Sequence, residues 1–130
     1  MTPVDDVVHV LPFEYDLGVI HDLAEFQTWL ATEAPADDTD WRDARGGFLG
    51  FQTDDGVWKF VVHVPRGASP KLCAHEAVHA AWAMCECAGV ELDAFDHEVL
   101  AYLVGFITEQ LLASTRVEPD EEALAVTTGS

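Results

Sequence analysis

The chain has 130 residues, with 6 Lys and Arg against 24 Asp and Glu, a formal net charge of −18 at pH 7. Apolar residues make up 49 % and charged residues 23 %, an ordinary globular balance, so the length suits one domain with a real core and the acidity does not signal wholesale disorder. A coat this negative repels phosphate and anionic lipid, which excludes a direct nucleic-acid binder working through a basic groove and argues against a membrane-surface role.

Residues 7–11 (Val-Val-His-Val-Leu) are short and β-branched and predict a first strand, ended by Pro12. Residues 20–33 place Leu23, Phe26 and Leu30 at helical spacing with Trp29 beside them, Asp22 as a favourable early acid, and Pro35 as the stop. Residues 33–43 carry Glu33, Asp37, Asp38, Asp40 and Asp43 against Arg42 and read as a solvated loop. Residues 48–52, then Asp54-Asp55-Gly56, then residues 57–64 form a hairpin pattern, because Asp-Gly supplies the positive φ that tight turns require; Pro65 ends it.

Ser69 as cap and Pro70 at the first helical position open a helix that the pattern extends to about residue 88, with Gly89 as its stop. Val78, Trp82 and Met84 read as its core side chains. A last helix is expected from near Asp93 to about Ser114, with Leu100, Leu103, Val104, Ile107 and Leu111 at helical spacing. Ala101 and Gly105, four apart, would let a neighbouring helix approach closely. Residues 116–130 read as an acidic, flexible tail after a single domain of residues 1–115. The fold class is α+β: a small antiparallel sheet, made of the hairpin and the N-terminal strand, packed on helices.

The start of the chain has no basic segment followed by an apolar one, so no secretory signal is expected. The longest uncharged apolar run, residues 99–107, is far short of the roughly 20 residues that a membrane span needs. A cytoplasmic location follows as the expectation. Three cysteines (Cys73, Cys85, Cys87) are an odd number in such a chain and favour reduced thiols. Cys85 and Cys87, two apart on a helix, lie on different faces and cannot chelate one ion together; small core fillers is the simpler reading.

His75-Glu76-Ala77-Val78-His79 carries the chemistry. Histidines at i and i+4 on a helix project side by side and can present two imidazoles to one Zn²⁺. Zinc lowers the pKa of a coordinated water towards about 7, and a carboxylate at the edge of that face can take the proton as the water attacks a carbonyl. Independent placement of these residue types would give the pattern in roughly a few per cent of such chains, and its position inside a helical segment lowers that further. Zinc also needs a third protein ligand. Asp96-His97-Glu98 follows in the first turn of the next helix, and any of the three could serve. Glu98 leads, because Glu98, Ala101, Tyr102, Gly105 and Glu109 share one stripe whose small residues would let the two helices meet. His97 would instead make a three-histidine site, and Asp96 is the remaining choice.

The His-Glu-x-x-His helix, the glycine turn and a glutamate roughly twenty residues later on a second helix resemble the zincin metallopeptidases of the gluzincin type. The resemblance covers residues 47–112. It implies zinc bound by His75, His79 and Glu98, with Glu76 as general base, and a peptide or protein as substrate. It also implies an edge strand that holds an extended substrate by strand addition, a role that residues 58–64 would fill. The run around His75 to Ala81, with Glu98, Ala101 and Tyr102 downstream, also looks like short zincin-like proteins encoded by phages and prophages, which places the chain in a host cytoplasm or a virion. The chain is much shorter than the gluzincin peptidases and lacks a second lobe. Tyr102 and His63 are the candidate auxiliaries for stabilising an oxyanion; Tyr102 could equally pack between helices or steady a ligand, and His63 could be a satisfied sheet histidine.

Two other readings compete. A closed structural zinc site, with Cys73 or His97 as fourth ligand, would suit a non-catalytic virion or interaction component. An acidic decoy that presents carboxylates in place of phosphates to a DNA-binding protein would explain the charge and leave the motif unexplained.

Overall fold

In order along the chain come β1 (Asp6–Val10), β2 (Tyr15–Ile20), α1 (Leu23–Glu33), β3 (Gly47–Gln52), β4 (Trp58–His63), α2 (Pro70–Cys87) and α3 (Glu98–Thr115). This computed structural model describes residues 4–11, 13–42, 44–91 and 97–116. The expected helix start at Asp93, the candidate ligand Asp96 and the expected tail beyond Arg116 therefore lie outside the described residues, as does Pro12.

The four strands form one sheet in the order β1-β2-β4-β3. β1 and β2 pair antiparallel, as do β3 and β4, but β2 and β4 run parallel, in the register Leu17 to Phe60 through Ile20 to His63. The fold class is α+β, with a mixed sheet in place of the antiparallel one expected. β2 is the strand that the sequence pattern did not reveal. Its presence makes β4 an interior strand, bonded on both sides. Residues 60–64 are therefore closed to strand addition, and among the described residues the sheet edge beside α2 belongs to β3.

Alternation along β4 sets the layers. Phe60 and Val62, with Val64 just beyond the strand, join Val8, Val10, Leu17 and Val19 in a core shared with α2 and α3. Val61 faces the other way and meets Ile20 and the α1 residues Phe26, Trp29 and Leu30. The sheet thus lies between α1 on one face and the α2–α3 pair on the other. α1 begins at Leu23 rather than near Ile20, which ends β2, and Asp22 caps it, its side chain accepting from the Glu25 N–H at 3.0 Å.

α2 and α3 pack on each other through small against large. Ala77, Ala80 and Ala81 are fully buried in the core that also holds Leu103, Ile107 and Leu111. Cys73 and Cys85 fill the same core as free thiols. The close approach thus comes from the alanines of α2. Ala101 and Gly105 of α3 lie on the exposed side, and a Cβ added at Gly105 would meet nothing within 4 Å. The broad Leu/Ile stripe captured the core, and the small residues were left outside it. No helix among the described residues is long and apolar enough to cross a membrane.

Overpacking the alanine seam is expected to be costly. Ala80→Leu should lower the unfolding free energy by about 1–3 kcal/mol, measured by urea denaturation.

Candidate metal centre

The Ser69 hydroxyl accepts from the Leu72 N–H at 3.1 Å and Pro70 occupies the first turn, so α2 begins where the sequence placed its start. From that start the helical repeat puts Cys73, Ala77, Ala80, Ala81 and Met84 inside, and His75, Val78, His79, Trp82 and Glu86 outside. Val78 and Trp82 are therefore not core residues: they are 44 % and 46 % exposed, on the same side as the histidines, and Met84 alone of the three is buried. The Trp82 indole N–H donates to Glu86 Oε1 at 2.7 Å across one turn.

His75 and His79 point the same way, with their Nε2 atoms 3.3 Å apart. Two ligand nitrogens at Zn–N distances of about 2.0–2.1 Å and a tetrahedral angle are about 3.3–3.4 Å apart. The pair thus has the bite that a tetrahedral ion requires. Two imidazole lone pairs facing each other at this distance must be bridged by a proton or by a cation. Glu76 completes the group: one of its carboxylate oxygens and one nitrogen of each histidine all lie within 4.8 Å of one another. Glu76 is buried while both histidines are exposed. Burial pushes its carboxyl pKa up, and the neighbouring His75 and His79 pull it down by less. A buried carboxylate beside two convergent nitrogens is a donor set suited to a divalent cation such as zinc.

A cavity of about 340 Å³ opens beside the group, walled by Trp41, Arg45, Gly46, Gly47, Phe48 and Leu72. The two glycines let the entry to β3 run against the helix. A Cβ at Gly46 would come within 3.2 Å of Glu76 Oε2 and 3.1 Å of the His63 carbonyl oxygen. At Gly47 it would lie 2.3 Å from the Trp41 ring. Trp41 is held there by an edge-on contact with Phe26 and by its indole N–H, which donates to the Asp37 carboxylate at 3.0 Å. None of these wall residues was singled out by the sequence pattern. The Gly46-Gly47 pair directly before a predicted strand was the available signal.

The other candidates are dispersed. His63 turns to the α1 face of the sheet, where its Nδ1 meets the Ile20 carbonyl oxygen at 3.0 Å and its ring stacks on Phe26. Buried and satisfied there, it sits across the sheet from α2. Glu98 and His97, at the start of α3, are exposed and are not members of the group. Tyr102 is 57 % exposed and stacks on Phe106 rather than packing between the helices. Cys73 is buried in the core rather than among the group. Compared with protein-family models, curated proteins and solved structures, the chain matches none.

The raised Glu76 carboxyl has a consequence for stability with a definite sign. A carboxyl whose folded pKa is raised opposes folding once the pH exceeds its unfolded value. In chelator-treated protein, Glu76→Gln should therefore raise the unfolding free energy at pH 7. The gain should fade as the pH falls to the ordinary carboxyl range, where Glu76 is protonated in both states. Denaturant unfolding of both proteins across pH checks this.

Proposed function

We propose that the chain is a zinc-dependent hydrolase of peptide bonds, with His75 and His79 as zinc ligands and Glu76 as general base. The observation that carries this reading is the 3.3 Å separation of the two Nε2 atoms, with the buried Glu76 carboxylate in the same group. Zinc bound there supplies Lewis acidity, polarising a carbonyl and acidifying water. The chain's own residues supply the rest. Burial makes Glu76 a stronger base than an exposed glutamate, and its helix holds it at a fixed distance from the ligand nitrogens. The cavity on the open side of the group leaves room for a substrate, which favours a catalytic over a closed structural site.

The free edge of β3 supports an extended peptide as the substrate. β3 leads directly out of the cavity wall at Gly47 and Phe48, and a peptide paired to its outer side would pass the histidines. The resemblance to gluzincins assigns the third ligand to Glu98, which lies outside the group in this structure, so the reading requires the start of α3 to close toward α2 when the ion binds. The zincin-like kinship and a cytoplasmic or virion setting belong to the same proposal, and the net charge of −18 favours basic or neutral peptides over acidic ones.

Elemental analysis of the purified protein and of His79→Ala tests the metal. Stoichiometric zinc is expected in the first and little in the second, and equal, negligible zinc in both overturns the site. Glu76→Gln should retain zinc yet lose at least about 100-fold of the cleavage rate on a peptide library. Glu98→Ala should weaken zinc binding by about 10-fold or more if Glu98 is the third ligand.

A further inference from the structure

A second cavity, of about 490 Å³, lies at the C-terminal end of α3 and shares no lining residue with the first. Its wall holds His21, which follows β2 and is 8 % exposed. His21 Nδ1 lies 3.0 Å from the Val64 carbonyl oxygen, and Nε2 lies 3.1 Å from Ser114 Oγ. The carbonyl can only accept, so Nδ1 carries the ring proton. Nε2 is then the acceptor and the Ser114 hydroxyl donates to it. The result is a hydroxyl hydrogen-bonded to an imidazole that a third group orients, the arrangement that activates a serine nucleophile.

The surroundings fit that use. Ser114 stands in the last turn of α3, where the negative end of the helix dipole favours the imidazolium that forms when Nε2 takes a proton. Asp5 adds to this, its carboxylate accepting the His21 backbone N–H at 2.7 Å. Arg66 and Arg116 also line the cavity. A bond from the Gly67 N–H to the Thr115 carbonyl oxygen, 2.7 Å long, ties the Arg66 loop to the end of α3. Among the described residues neither arginine is in an ion pair, whereas Arg42 and Lys59 are. The Asp5 and Asp6 carboxylates line the same cavity, so its wall carries two charges of each sign. The guanidinium groups can receive the charge that develops on a carbonyl oxygen.

We propose that Ser114 and His21 form a second reactive centre, nucleophile and general base, for small esters. Ser114 Oγ adds to the ester carbonyl carbon as its proton passes to His21 Nε2. The carbon–oxygen bond to the alcohol then breaks, and that proton goes to the departing oxygen. A water that gives its proton to the same nitrogen next attacks the acyl-serine, releasing the acid and restoring the hydroxyl.

The test treats the full chain with a fluorophosphonate, which phosphonylates activated serines, and maps the adduct by mass spectrometry. One adduct per chain is expected, on Ser114, with Ser69 unmodified as an internal comparison because its hydroxyl only caps a helix. Ser114→Ala should abolish labelling, and His21→Gln should slow it by at least about 100-fold. Denaturant should abolish it in the wild-type protein. Because replacing buried His21 can unfold the chain, the wild-type map is decisive alone. No adduct on Ser114 in folded protein, or an adduct that forms equally fast in denaturant, overturns the proposal. Removing zinc with a chelator should leave the labelling unchanged, which separates this centre from the proposed peptidase.

Discussion

Three alanines on one side of α2 set the terms for the rest of the molecule. Ala77, Ala80 and Ala81 let α3 come close enough for Leu103, Ile107 and Leu111 to share their core, so that the rotation of α2 about its own axis is fixed. Once that side is committed, the helical repeat leaves no freedom for the other. His75 and His79 must face outward, one turn apart, and Glu76 must fall at the margin between core and solvent. The proposed zinc site is thus a by-product of a packing seam: two groups that need access receive it, and the one that benefits from burial is buried.

The same seam aims the group at the sheet edge. α2 lies over β3 as well as beside α3, and Gly46 and Gly47 bring the incoming backbone close to the Glu76 carboxylate. Trp41 fills the space over Gly47 and turns an otherwise shallow gap into a walled cavity. A single indole, braced by Phe26 and Asp37, forms that wall.

The start of α2 was legible in the sequence because its signals, Ser69 and Pro70, are local, whereas Asp22 was read as an acid in the first turn of α1 and proved to be its cap. The Asp55-Gly56 turn announced the β3–β4 hairpin for the same reason, and Gly56 takes φ of +84°. The β1–β2 hairpin was not legible. Its turn contains no Gly or Asn, and Glu14 adopts φ of +60° instead; β2 itself contains Asp16 and Gly18, residue types that strands disfavour. That one missed strand changed which residues form a sheet edge. At the candidate site, the spacing of His75, Glu76 and His79 was readable because it lies within one helix. The roles offered to His63, Glu98 and Tyr102 depended on which way a strand or a second helix turns, which is set by tertiary burial. Ser114 and His21, 93 positions apart, meet only through folding.

β3 is six residues long, with glycine at positions 47 and 50, and among the described residues one of its sides is unpaired in the sheet. An open, weakly patterned edge of this kind ordinarily invites a second copy of the same chain to add to it, and proteins commonly blunt such edges with lysine or proline. β3 has neither. Here the guard is global: two copies each carrying −18 repel before their edges can meet. The acidity thus acts as a colloidal safeguard, one that high ionic strength would thin by shortening the reach of that repulsion.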